Sequence, residues 1–160
     1  MKNLEERALS RPKGITKFGT TQRSSLQAAA VAALAFALAS CGTIHQFIGP
    51  SPDWQARNGQ LLYHGKKTTL IGEVLVRFSK TGDFELTFTK GPGVTLVEIR
   101  QDATNFNIRG PLVGVGWSGS TAHAPPHLRG WLELREKLMA LGDKTSLTHS
   151  YRDEKFTFRF

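Results

Sequence analysis

The chain has 160 residues, about one domain on the usual scale of roughly 100 to 200 residues, which leaves no room for separate cofactor and substrate halves. Its single cysteine, Cys41, excludes an internal disulfide framework and a cysteine-based zinc cluster, since both need several thiolates from one chain. The formal charge of +8 is spread evenly: residues 1–40 carry six basic and two acidic side chains and residues 41–160 carry fifteen and eleven. The part expected to fold is only mildly basic, so no nucleic-acid partner is expected.

From Leu26 to Ala39 the chain reads LQAAAVAALAFALA, fourteen residues without a charge, after a stretch carrying Lys2, Arg7, Arg11, Lys13, Lys17 and Arg23. A basic segment before an apolar run is the pattern of an export signal. Fourteen helical residues rise about 21 Å, short of the ~30 Å hydrocarbon core, which disfavours a stable membrane span. The basic stretch of about 25 residues is longer than usual, which fits either a translation start placed too far upstream or a tolerated extension. The tetrapeptide Leu38-Ala39-Ser40-Cys41 resembles the lipobox of bacterial lipoproteins. That resemblance implies a diacylglyceryl Cys41, palmitate-type acylation, cleavage before Cys41 and a membrane anchored through that residue. Gly42, where an Asp would signal retention in the inner membrane, implies by the same resemblance the periplasmic face of the outer membrane. Residues 1–40 are therefore a signal peptide, outside the fold.

Residues 41–53 read as a tether with Pro50 and Pro52, the low periodicity runs on to Asn58, and residues 54–160 form the domain, with Trp54 its first core anchor. Along Lys67–Lys80 the alternate set Leu70, Gly72, Val74, Val76, Phe78 opposes Ile71, Glu73, Leu75, Arg77, which predicts a long strand. A turn at Lys80-Thr81-Gly82-Asp83 leads into Phe84, Leu86 and Phe88, completing a hairpin. After Lys90-Gly91-Pro92-Gly93, a second hairpin joins Val94–Gln101 to Thr104–Arg109, with Val97, Ile99, Phe106 and Ile108 inward. Leu112–Ser120 alternates Val113, Val115 and Trp117 with glycines and serine, predicting a curved strand. From His127 to Leu141 the period changes: Leu128, Trp131, Leu134, Leu138 and Leu141 recur at three and four, an amphipathic helix entered by Pro125-Pro126 and closed by Gly142. A last hairpin ends in Phe156, Phe158 and Phe160. The expected fold class is α+β, a curved antiparallel sheet or incomplete β-barrel of about seven strands with one helix on its concave side; a closed barrel of eight strands or fewer is the competitor.

Chemistry is sparsely encoded. His123 and His127 have helical metal-ligand spacing, but Ala124-Pro125-Pro126 between them forbids a helix there, so no metal site and no cofactor are expected. No nucleophile elbow, phosphate loop or dinucleotide fingerprint occurs. Glu73, Glu85 and Glu98 fall at solvent-face strand positions, which suits surface charge better than general acid–base work. The terminal KFTFRF resembles the ending of outer-membrane barrels, but most strands are shorter than the ~9–11 residues a transmembrane strand needs. An enzyme is not expected.

The lipobox, Trp54-x-x-Arg57-x-Gly59, a long strand near Gly72, the segment Phe84–Phe88, the turn Gly91-Pro92-Gly93-Val94 and a helix after a meander together resemble the lipoprotein-localisation factors of the LolA/LolB superfamily, over about residues 54–142. That resemblance implies an incomplete antiparallel barrel around an apolar cavity that accepts lipoprotein acyl chains. The residues that would line the cavity are Val74, Val76, Phe78, Phe84, Leu86, Phe88, Val113, Val115, Trp117, Trp131 and Leu138. The same side chains serve as the filled core of a structural or accessory lipoprotein of an envelope assembly. The first reading expects a hydrophobic ligand or lipoprotein partner, the second no ligand.

Overall fold

The structure, a computed structural model, describes residues 45–160. Alternation in the sequence becomes a single antiparallel sheet in the order β6-β5-β4-β3-β2-β1-β8-β7. Its strands are β1 (Gln55–His64), β2 (Thr69–Phe78), β3 (Phe84–Thr89), β4 (Thr95–Gln101), β5 (Asn105–Arg109), β6 (Trp117–Ser120), β7 (Ser146–Tyr151) and β8 (Glu154–Arg159). The sheet does not close, since β6 and β7 end the strand order and are not paired to each other. The first six strands follow one another as a meander. The chain then crosses as two short 3-10 turns and helix α1 (Arg129–Met139), and the β7–β8 hairpin adds β8 beside β1.

Residues paired directly across an antiparallel ladder share a face. The pairs Phe78↔Phe84, Val76↔Leu86 and Val74↔Phe88, continued as Leu86↔Ile99 and Phe88↔Val97, therefore stack one apolar face across three strands. Leu61↔Phe158 and Tyr63↔Phe156 extend it across β1 and β8. Against this face α1 and its flanks turn Leu128, Trp131, Leu134, Leu138 and Leu141, all buried. The Trp131 ring meets Phe156 edge-on at 4.8 Å between centroids and lies 5.2 Å from Tyr63. Fully burying each such side chain contributes about 1.5–3 kcal/mol.

The count is eight strands rather than about seven, because β1 is a strand from Gln55 onward. Its inward positions begin with Gln55, Arg57 and Gly59, so it lacks apolar alternation. Pairing with β2 along its whole length makes it a strand. At Gly59 an added Cβ would stand 2.2 Å from the Arg159 carbonyl oxygen, so the close β1–β8 approach requires glycine.

The expected strand Leu112–Ser120 is corrected to Trp117–Ser120 alone. Gly110 (φ 128°) and Gly114 (φ 69°) adopt conformations that turn the chain, and the Val113 N–H donates to the Gly110 carbonyl, making a loop. The helix is shorter than the expected His127–Leu141: Pro126–Leu128 form a 3-10 turn, and α1 ends at Met139, before Gly142, whose φ is 57°.

The two ends of the sheet differ. At one end lie the β2–β3 and β4–β5 turns, the chain after α1, and residues 45–54. His45 Nε2 bonds Asp102 at 2.5 Å and its Nδ1 lies 3.2 Å from Asn105 Nδ2. Phe47, Ile48, Pro50 and Trp54 share a recess with Phe84, Glu85, Arg100 and Gln101. The segment expected to be a tether thus lies against the sheet from His45 onward. At the other end lie the β1–β2, β3–β4, β5–β6 and β7–β8 connections.

Candidate functional site

The expected cavity residues fall into two groups. Val74, Val76, Phe78, Phe84, Leu86, Phe88, Trp131 and Leu138 come together on the inner face, each at most 7% exposed. Val76, Leu86 and Phe88 are fully buried, at 0% exposed, in the cluster that also holds Trp131 and Leu138. Close packing of this kind is what a filled interior requires. Val113 and Trp117 are half-buried at the β6 edge, with Trp117 5.9 Å from the Phe106 ring. Val115, expected to point inward, is 94% exposed at the tip of the β5–β6 loop, because the strand that would have turned it inward does not form. Cys41 lies outside the described residues.

The open depressions lie elsewhere. A trough of about 610 Å³ on the outer face is bounded by Asn58, Gln60, Glu73, Leu75, Thr87 and Thr89, and beside it Leu62 and Ile71 flank a hollow of about 160 Å³. The walls of the trough are chiefly short polar side chains on strands, without a convergent acid, base or nucleophile.

Charge on the outer face is organised across strands. Glu85 forms an ion pair with Arg77 at 2.8 Å and accepts from Arg100 at 3.3 Å, while Glu98 accepts from Arg109 at 2.7 Å and approaches Arg100 at 3.8 Å. Glu85 was expected at the surface but is buried, because residues 45–54 cover that end of β3 and β4 and two guanidinium groups compensate it. The alternation places Glu85 on the correct face; only the folded-back N-terminal segment, which has no periodic signal, puts it under cover.

A third feature, a crevice of about 240 Å³, opens between the β1–β2 turn, the start of α1 and the β7–β8 turn, lined by Tyr63, Lys66, His127, Tyr151, Arg152, Asp153 and Glu154. Tyr63 donates its hydroxyl to Glu154 Oε1 at 2.7 Å. Burial pushes the Glu154 carboxyl up, outweighing the Tyr63 hydrogen bond and the nearby His127, which both favour its ionised form. Burial, then Glu154 itself, raises the Tyr63 phenol, so Tyr63 stays a neutral donor. His127 therefore belongs to this crevice, while His149 stacks on Phe156 and faces Glu133 at 3.3 Å.

A different arrangement at the opposite end was not visible in motif spacing. The guanidinium of Arg57 donates to the carbonyls of Gly142 and, at 3.2 Å, of Lys144, and sits 5.8 Å over the Phe160 ring. Arg135 Nε donates to the Gly82 carbonyl at 2.9 Å. Both arginines tie the segment around α1 to the sheet, which is a structural task. The one sequence signal for it is an arginine at an inward strand position, where an unpaired charge would be costly. The chain matches no protein-family model and no curated protein.

Proposed function

We infer that the protein is a non-enzymatic lipoprotein, anchored through acylated Cys41 to the periplasmic face of the bacterial outer membrane, whose domain acts as a structural or accessory module of an envelope assembly. The observation that carries the choice over a lipid carrier is the interior: Val76, Leu86 and Phe88 are 0% exposed within the inner-face core. A carrier needs an apolar pocket of roughly 300 Å³ or more for its ligand. The lipobox resemblance at Leu38–Cys41 supports the anchor, and two or three acyl chains at ~0.8 kcal/mol per buried CH₂ make it effectively permanent.

The second reading is a hydrophobic-ligand or acyl-chain binder like the LolA/LolB factors, with the sheet acting as an incomplete barrel around α1. It is favoured by the unclosed sheet and by the half-buried Leu112, Val113 and Trp117 beside its β6 edge. Titration of the full chain with a fluorescent fatty acid, below the probe's micelle concentration, separates the two. The module reading expects no saturable binding and no rise in melting temperature. Stoichiometric binding that raises the melting temperature and is lost in Val76→Trp overturns it, because a ligand that binds only the folded state stabilises it by mass action.

A further inference from the structure

The four connections at the end remote from His45 carry an asymmetric charge. Gly65–Thr68 supplies Lys66 and Lys67, the β3–β4 loop supplies Lys90, the β7–β8 turn supplies Arg152, and Lys155 follows next to it. All five side chains are exposed, and none is held in an ion pair among the described residues. Asp153 is the one acid in these connections, and neighbouring Glu154 is engaged by Tyr63. The connections at the opposite end have the reverse balance, with Asp53, Asp83, Asp102 and Asp143 against Lys80 and Lys144, while Arg57 from β1, and Arg135 and Lys137 from α1, also reach that end.

The cations are arranged as a row. Strand order places the β3–β4 loop, the β1–β2 turn and the β7–β8 turn side by side along one sheet end. At ~4.8 Å between strands, successive connections stand about 10 Å apart. A row of separated point charges fits a linear polyanion better than it fits a small ligand. Four of the five cations are lysines, which protein–protein interfaces are depleted in and which do not make the bidentate contacts of arginine. The anchoring bilayer meets the row only where the domain lies flat along it, because the tether joins the opposite sheet end at His45. The four residues from Cys41 to His45 span at most about 14 Å, whereas the ten residues of β2 separate the two sheet ends by roughly 30 Å.

We propose that this lysine row docks the domain onto the carboxylate-bearing peptide stems of the cell-wall polymer beneath the outer membrane. The proposal rests on the lipoprotein reading and gives the module its partner: one end is fixed to the membrane and the other presents positive charge to the wall. Contact is electrostatic and therefore salt-sensitive, because exposed charges are screened beyond about 10 Å at 0.1 M salt.

The test is co-sedimentation of the full chain with purified, protein-free cell-wall sacculi at ~0.1 M NaCl, with neutral chitin and phosphatidylglycerol vesicles as parallel arms. Two triple variants carry the same charge change: Lys66→Glu/Lys67→Glu/Lys90→Glu on the row, and Lys80→Glu/Lys137→Glu/Lys144→Glu at the other end. Circular dichroism confirms that each is folded, and a row variant that fails to fold is replaced by Lys66→Gln/Lys67→Gln/Lys90→Gln. The expected result is wall binding that falls at least tenfold in the row variant, stays within about twofold in the other, and disappears at high salt. Equal losses in both variants, absence of wall binding in the parent, or preferential binding to the vesicles each overturn the proposal. Acylation of Cys41 is measured separately, so loss of the wall contact and loss of the anchor are distinguishable.

Discussion

The guanidinium of Arg57, at an inward position of β1, donates to the carbonyl oxygen of Gly142, the glycine that ends the helical segment. With the Lys144 carbonyl and the Phe160 ring it closes the chain after α1 onto the first strand. This places Arg57 and Gly59, two residues of the sequence pattern near Trp54, in structural tasks: one clamps the helix exit, the other admits the Arg159 backbone. Replacing Arg57 by Met keeps the apolar stem and removes the donors. The expected loss is about 1–2 kcal/mol in urea unfolding, the range of a charged hydrogen bond at a partly exposed site. Arg57→Lys should recover little of it, because an ammonium cannot span two carbonyls as the planar fork does. Full recovery by lysine would show that charge alone matters there.

Trp131 is the next test, because it joins α1 to two strands of the sheet. It is 1% exposed and packs against Tyr63 from β1 and Phe156 from β8, paired strands that lie at opposite ends of the domain sequence. Trp131→Ala should cost roughly 3–5 kcal/mol, as deletion of a buried aromatic does. A change below about 1 kcal/mol would mean that the helix does not pack on the sheet in solution.

These contacts also explain what the sequence could and could not reveal. The hairpin of β2 and β3, the helix and the Phe156–Phe158 strand were legible because each turns a regular apolar stripe toward one face. β1 was not, since its first three inward residues are Gln55, Arg57 and Gly59 and only pairing specifies it. The glycines at 110 and 114 broke an alternation that Val113 and Val115 seemed to continue. The candidate cavity was the least legible feature. An inward Val76 or Phe88 looks the same in sequence whether it walls a pocket or fills a core, and the difference lies in how closely α1 settles onto the sheet. The lysine row was hidden differently, being distributed over connections far apart in the chain and brought side by side only by strand order.

The Tyr63–Glu154 pair predicts a pH dependence of definite sign. Because burial holds the Glu154 carboxyl above its ordinary value, the folded state binds that proton more tightly than the unfolded chain does. Its stabilising contribution is complete below the ordinary glutamate value and is lost as pH rises through the folded one. Glu154→Gln keeps an acceptor for the Tyr63 hydroxyl and removes the charge. Urea midpoints of the two proteins should lie close together near pH 4, and the variant should gain on the parent as pH rises toward 7. A variant that loses ground with rising pH would show that the ionised carboxylate stabilises the fold, against the dominance of burial.

The proposed anchor rests on Cys41, and its test reads chemistry as well as location. If the thiol is acylated and the signal cut before it, the mature amino-terminal peptide begins at Cys41 and carries the mass of a diacylglyceryl group. A serine hydroxyl at the same place lacks the thiol that forms the thioether, so Cys41→Ser should give no lipid-bearing peptide. The variant should also leave the membrane fraction, because the fourteen-residue apolar run is too short to hold as a stable span. Mass spectrometry of the amino-terminal peptide and detergent-phase partitioning measure the two effects independently. A parent whose mature terminus lies elsewhere, or a Cys41→Ser protein with unchanged membrane partitioning, would remove the lipoprotein assignment, while the sheet, its buried apolar face and the Arg57 clamp would stand without it.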